Sequence, residues 1–193
     1  MNKYVEICLS CLFLCLCSYG CDSYTQNRLE AIGDSAAAFA SVEVLRAKAL
    51  DGDAEAQFNL GCCYDNGEGV MAADKREAAK WFRMAAEQGH AKAQYNLGVC
   101  YDRGEGVAED KSEAVKWYRK AAEQDDSNAQ YNLGVFYYNG EVVDSDINAA
   151  EYWFSLSAGN GNERAKQALL KVEDMKLKLR KLEEAERALR DLD

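Results

Sequence analysis

From residue 54 onward the apolar positions of the chain keep the 3,4 spacing of a buried helix face. Ala56, Leu60, Cys63 and Tyr64 stand at i, i+4, i+7 and i+8, which predicts a helix with one side turned to a core. Gly67 follows its end, where a left-handed residue costs glycine little. Asp74-Lys75-Arg76-Glu77 then sets a side-chain acceptor three residues ahead of a glutamate, the start signal of a capped helix. A second helix is expected from there, with Ala78, Trp81, Phe82, Ala85 and Ala86 as its stripe. Rings alternating with alanines let neighbouring helices approach closely and interdigitate.

The same pair of helices is written three times. Ala54 opens AEAQFNLGCCYDNGEGV, Ala91 opens AKAQYNLGVCYDRGEGV and Ser127 opens SNAQYNLGVFYYNGEVV. Gln57 and Gln94 are 37 residues apart and Gln94 and Gln130 are 36 apart, a period that marks stacked helical pairs. Gly104 and Gly140 repeat Gly67, Asp110-Lys111-Ser112-Glu113 repeats the cap, and Ala114, Trp117, Tyr118, Ala121 and Ala122 repeat the stripe. The third copy departs: Val142 replaces the second loop glycine, Glu151 stands where Ala79 and Val115 stand, and Ser157 replaces an alanine. A looser loop is expected there, on the same fold.

These residues resemble the Sel-one-like repeat family, whose pattern runs A-x-A-Q-x-x-L-G-x-x-Y-x-x-G-x-G-V, then an acidic cap, then A-x-x-W-Y/F-x-x-A-A-E-Q-G. The likeness covers roughly residues 54 to 165. It implies an all-α fold: a right-handed α/α superhelical solenoid of antiparallel helix pairs, similar to tetratricopeptide arrays. It also implies the family's usual work as an adaptor or scaffold for other proteins.

Both flanks continue the array. Val44 to Asp53 aligns with a second helix and its turn, a degenerate half-repeat that caps the start. From Asn162 to Asp193 the chain has no glycine or proline, so one helix about 48 Å long is expected. Ala165, Ala168, Val172, Met175, Leu179, Leu182 and Leu189 keep heptad spacing until Glu186 takes a core place, and Glu183 to Arg187 and Glu186 to Arg190 are favourable i, i+4 pairs. Folding back over the last repeat and homodimerisation through residues 172–193 are both open; the shortness of the heptad run favours the first.

The N-terminus points to export. Five of the eight cysteines lie in the first 21 residues, and Ile7 to Cys17 is an apolar run of eleven, shorter than the roughly 17 to 25 that span a bilayer and suited to a signal peptide. Small residues at Ser18 and Gly20 place cleavage before Cys21, and the junction resembles a bacterial lipoprotein box in which Cys21 is acylated. Ser18, Tyr19 and the offset of Lys3 by Glu6 fit that pattern poorly. The expected divisions are a signal peptide (1–20), a tether (21–33), an N-terminal capping half-repeat (34–53), three repeats (54–161) and a C-terminal capping helix (162–193), with the protein in the cell envelope, periplasmic and membrane-anchored through lipid on Cys21.

Charge narrows the partners. Lys and Arg total 23 against 33 Asp and Glu, a net charge of −10, which opposes phosphate neutralisation and argues against nucleic acid. Chemistry narrows the function. The one histidine, His90, sits at a turn position that holds Asp126 in the next copy, as a surface turn residue would. There is no G-x-S-x-G or H-E-x-x-H, and Ser112 meets Lys116 one residue too far for the serine-lysine signature of β-lactamases. The G-E-G-V loops follow helices, not strands, so they are read as turns and not as phosphate cradles. Cys62, Cys63 and Cys100 align with valine or phenylalanine in other copies and are expected as buried free thiols. Three thiols are awkward in an exported chain. In relatives that bridge their repeats, the resemblance implies pairing with a cysteine of the second helix, and no second helix here has one. Neither catalytic residue, metal nor cofactor is expected. A β-lactamase-like or cell-wall hydrolase and a self-assembling structural lipoprotein are the alternatives.

A protein or peptide partner would meet the first helices, which line the concave face of tetratricopeptide-like arrays. Asn59, Asn96 and Asn132 recur there, and Lys92 stands one turn before Asn96, a pairing that resembles the carboxylate clamp of tetratricopeptide domains. Tyr95 and Tyr131 are candidate aromatic anchors. A structural role for the asparagines, with Gln57, Gln94 and Gln130, is favoured over ligand contact, because buried polar groups need partners either way.

Overall fold

The computed structural model describes residues 41–190. Residues 41–50 are helical (α1), followed by α2 (Ala54–Asn66), α3 (Lys75–Glu87), α4 (Ala91–Arg103), α5 (Lys111–Ala122), α6 (Ser127–Asn139), α7 (Ile147–Gly159) and α8 (Glu163–Arg190). No strand occurs among the described residues. Within each repeat the two helices pack against each other, α2 on α3, α4 on α5 and α6 on α7, and each second helix also packs on the first helix of the next unit. The result is an α/α solenoid. The expected leader, the tether and lipidation at Cys21 lie outside the described residues, as do residues 34–40 of the half-repeat.

Each leading helix starts on a side chain and stops on a glycine. Asp53, His90 and Asp126 accept from the backbone N–H of Ala56, Ala93 and Ala129. Gly67, Gly104 and Gly140 sit in the left-handed region at φ 78°, 67° and 69° and return their N–H to the last turn, as the fixed glycine offset predicts. Asp74, Asp110 and Asp146 cap the trailing helices through two N–H groups each. The capping box is only half realised. Glu77 and Glu113 pair with Lys80 and Lys116, because an exposed i, i+3 lysine competes for the glutamate.

Two side-chain devices fix how the helices meet. The first lies within each hairpin: the rings of Phe82, Tyr118 and Phe154 rest on Gly61, Gly98 and Gly134, where an added Cβ would lie 2.6, 2.7 and 2.7 Å from ring carbons. Beside them Leu60, Leu97 and Leu133 are fully buried, and each such side chain contributes about 1.5–3 kcal/mol of transfer free energy. The second lies between units. Gln57, Gln94 and Gln130 are buried and donate to the carbonyls of Ala49, Ala86 and Ala122 on the preceding helix at 3.0, 3.1 and 3.1 Å. Each also accepts from an amide in the turn of its own repeat, Gln88, Gln124 or Asn160. A buried amide bonded at both ends tolerates only one register.

Helix α8 takes the place of a fourth leading helix. Asn162 caps it, accepting from Arg164 and Ala165 while donating to the Ser127 carbonyl. Ala165 and Val172 are fully buried against the last hairpin, and Lys176 pairs with Glu151 of α7. Farther along the helix its leucines are exposed, Leu177 at 44%, Leu179 at 46% and Leu182 at 61%. No helix among the described residues is long and apolar enough to cross a membrane.

Candidate interaction surface

Four rows of side chains recur along the leading helices, and their partners sort them into glue and free surface. The tyrosines Tyr64, Tyr101 and Tyr137 accept hydrogen bonds from Arg46, Arg83 and Arg119 of the preceding trailing helix at 2.5, 2.6 and 2.8 Å. The same guanidinium groups lie over the rings, 5.9, 5.6 and 6.0 Å from the centroids. This row is a second inter-repeat ladder, combining a hydrogen bond with cation–π attraction. The glutamine row is the first, and both are fully engaged.

The aromatic row, Phe58, Tyr95 and Tyr131, is half-buried. Phe58 stacks on His90 with ring centroids 4.7 Å apart, Tyr95 lies 5.9 Å from Tyr118, and Tyr131 lies 5.7 Å from Phe154 with the Arg164 guanidinium 4.5 Å above it. Burial pushes the Tyr95 hydroxyl up, with the Asp126 carboxylate adding to it. Tyr95 and Tyr131 are therefore embedded in packing on one face and keep only an edge for a partner.

The asparagine row differs. Asn59, Asn96 and Asn132 are half-exposed. Asn59 donates to Glu55 of its own helix at 3.3 Å, whereas Asn96 makes no side-chain hydrogen bond among the described residues. Lys92 is exposed one turn before it, close enough to Glu55 to help depress that carboxyl. Asn132 approaches the Tyr118 hydroxyl, opposing the strong upward push of burial there. The structure thus separates the asparagines from the glutamines, which the sequence presented as one set.

His90 has a structural task. Its Nδ1 accepts from the Ala93 N–H at 3.2 Å, so in the neutral ring Nε2 carries the proton and donates to Glu55 at 3.0 Å. The His90 hydrogen bond is the main reason the Glu55 carboxyl lies below its ordinary range. Among the described residues the three cysteines are free, Cys100 buried and Cys62 and Cys63 half-buried. Burial raises all three thiols, Cys62 and Cys100 to about 11, so they stay protonated at neutral pH and are poor nucleophiles. No cluster of metal-binding side chains occurs among the described residues.

Sequence reasoning did not see three roles. The glycine of each N-L-G triplet, the glutamine or asparagine closing each trailing helix and the Arg–Tyr pairs all recur at fixed offsets, which was the available signal. What each touches depends on how neighbouring units stack.

Repeated hairpins joined by shared side-chain ladders define a class of protein, the helical-repeat solenoid. The model of the Sel1 repeat matches residues 54–90, 91–126 and 127–162, and the chain belongs to that family. Among solved structures, a protective antigen present in uropathogenic Escherichia coli strains, displaying an SLR fold, is 43% identical with a TM-score of 0.63, covering 66% of this chain and 27% of its own. A Sel1 repeat protein from Oxalobacter formigenes is 39% identical with a TM-score of 0.59, covering 62% and 49%. The chain thus spans about a quarter of the length of the first and half of the second. No curated protein matches it.

Proposed function

We propose that the protein is a non-enzymatic scaffold at the bacterial cell envelope that grips a protein or peptide partner along its leading helices, at Asn59, Lys92, Tyr95, Asn96, Tyr131 and Asn132. Sel1 repeats generally serve protein–protein interaction. The observation that carries the reading is the contrast between rows: glutamine and tyrosine side chains are engaged between repeats, while the Asn96 amide has no hydrogen-bond partner among the described residues and Lys92 is exposed beside it. An amide that donates and accepts, next to an ammonium, suits a peptide backbone or carboxylate. The apolar run ahead of Cys21 supports export and a lipid anchor at that residue, and the relative that is a protective antigen accords with an envelope position.

Capture from envelope extract by wild-type protein, repeated with Lys92→Ala and Asn96→Ala, tests the surface. Binding is expected to fall in both variants while thermal stability holds, and unchanged capture would defeat the proposal. Mass spectrometry of the mature N-terminus tests the anchor, with an acylated Cys21 expected. Turnover of a chromogenic β-lactam, lost on changing one nucleophile, would overturn the non-enzymatic reading.

Self-association through residues 172–193 is a second reading, favoured by the exposed Leu177, Leu179 and Leu182 of α8. Concentration-dependent dimers in sedimentation, abolished by deleting residues 172–193, would establish it; monomers at all concentrations would dismiss it.

A further inference from the structure

The loop glycines decide how tightly successive units close. At the junction of the first two repeats Gly106 (φ 75°) lies so near the start of α3 that an added Cβ would stand 1.9 Å from the Lys75 carbonyl oxygen. There Lys75 bridges two acids, Asp65 at 2.7 Å and Glu105 at 3.4 Å. At the next junction the position of Gly106 is held by Val142, which no backbone could approach so closely and which is 37% exposed. The ion bridge changes with it. Lys111 pairs with Glu141 at 2.5 Å, while Asp102, the counterpart of Asp65, makes no salt bridge among the described residues and only adds to the raising of the Lys111 ammonium that Glu141 chiefly causes. Asp102 accepts from the Tyr118 hydroxyl at 3.3 Å.

A cleft of about 170 Å³ lies at this junction, lined by Asp102 and Lys111 on one side and by Asn132, Asn139 and Glu141 on the other, with Val135 and Phe136 on the wall between. Its polar groups are unbalanced. Lys111 pairs with Glu141, Asn139 donates to Glu141 at 3.1 Å, and the Asp102 carboxylate adds a second negative charge facing the same ammonium. Burial, the first cause, raises the Tyr118 hydroxyl and keeps it a donor to Asp102. Two carboxylates against one ammonium leave the cleft net negative over an apolar wall, which suits a flat cation that only donates.

We propose that this cleft receives an arginine side chain of the protein or peptide partner, its guanidinium on Asp102 and its stem on Val135 and Phe136. The inference rests on the scaffold reading above and specifies the partner's chemistry. The cleft lies at the junction where Val142 stands in place of the loop glycine.

The purified protein is titrated with acetyl-Gly-Arg-Gly-amide, following the side-chain amides of Asn132 and Asn139 by nuclear magnetic resonance and the heat by calorimetry. Saturable shifts at both asparagines are expected, about tenfold to hundredfold weaker in Asp102→Asn, as befits loss of a hydrogen bond to a charged group. Asp65→Asn, at the sealed junction, leaves them unchanged. Asparagine at 102 still accepts from Tyr118, and should that variant not fold, the citrulline analogue of the probe, neutral and of the same shape, must bind equally poorly. Absence of shifts with the arginine probe, or equal shifts with the citrulline probe, overturns the inference. The two readings fail separately: arginine shifts without any effect of Lys92→Ala or Asn96→Ala on partner capture defeat the groove alone, and the reverse pattern defeats the cleft alone.

Discussion

At the scale of single residues, the side chains that matter most for stability are those with no spare room or no spare bond. Gly98→Ala drives a methyl group to within 2.7 Å of the Tyr118 ring, and overpacking of this kind costs about 1–3 kcal/mol; a lowered midpoint in urea denaturation is the expected reading. Gln94→Leu removes a buried amide that bonds the Ala86 carbonyl and the Gln124 amide and is expected to cost about 1–3 kcal/mol, whereas Asn96→Ala, one face away, stays within about 0.5 kcal/mol of wild type. The two measurements together test whether the rows divide labour as their hydrogen bonds indicate. His90→Ala removes a helix cap and costs about 1 kcal/mol, most of which His90→Asp restores, since aspartate fills that slot in the neighbouring repeats. The glutamines and asparagines could not be told apart from their spacing alone. Both recur once per unit and both are amides; only the position of the preceding helix shows which one finds a carbonyl.

At the scale of elements, α8 shows where packing stops. Its first turns bury Ala165 and Val172, and Lys176 ties it to Glu151; beyond that point its leucines face solvent. Val172→Asp is expected to cost about 3 kcal/mol or more, because a charge enters a dry site without a partner. Truncation after Lys178 leaves every one of these contacts and should shift the melting temperature by no more than about 2 °C, read by circular dichroism. The sequence marked this helix clearly, by its heptad spacing and the absence of glycine and proline. How far the apolar stripe is covered depends on the length of α7, which runs beside only part of it.

At the scale of the whole molecule, an acidic chain built as a one-dimensional stack has a distinct response to pH and salt. Glu55 has a folded-state pKa below its ordinary value, chiefly through the His90 hydrogen bond. Its contribution is therefore whole above the ordinary carboxylate range and is lost as pH falls through the depressed value. Glu55→Gln should shed that part of the acid sensitivity, visible as a shallower fall of melting temperature with pH. A basic partner bound by a chain of net charge −10 should associate more slowly and bind more weakly at higher ionic strength. The sequence by itself determined the helices, their caps and their threefold recurrence, because hydrophobic period, cap chemistry and left-handed glycines act within a few residues of chain. Only the tertiary structure decided which recurring side chains are bound between units and that Lys111 reaches Glu141 of the next unit, because those outcomes depend on distances between residues some 30 positions or more apart that meet only when the hairpins stack.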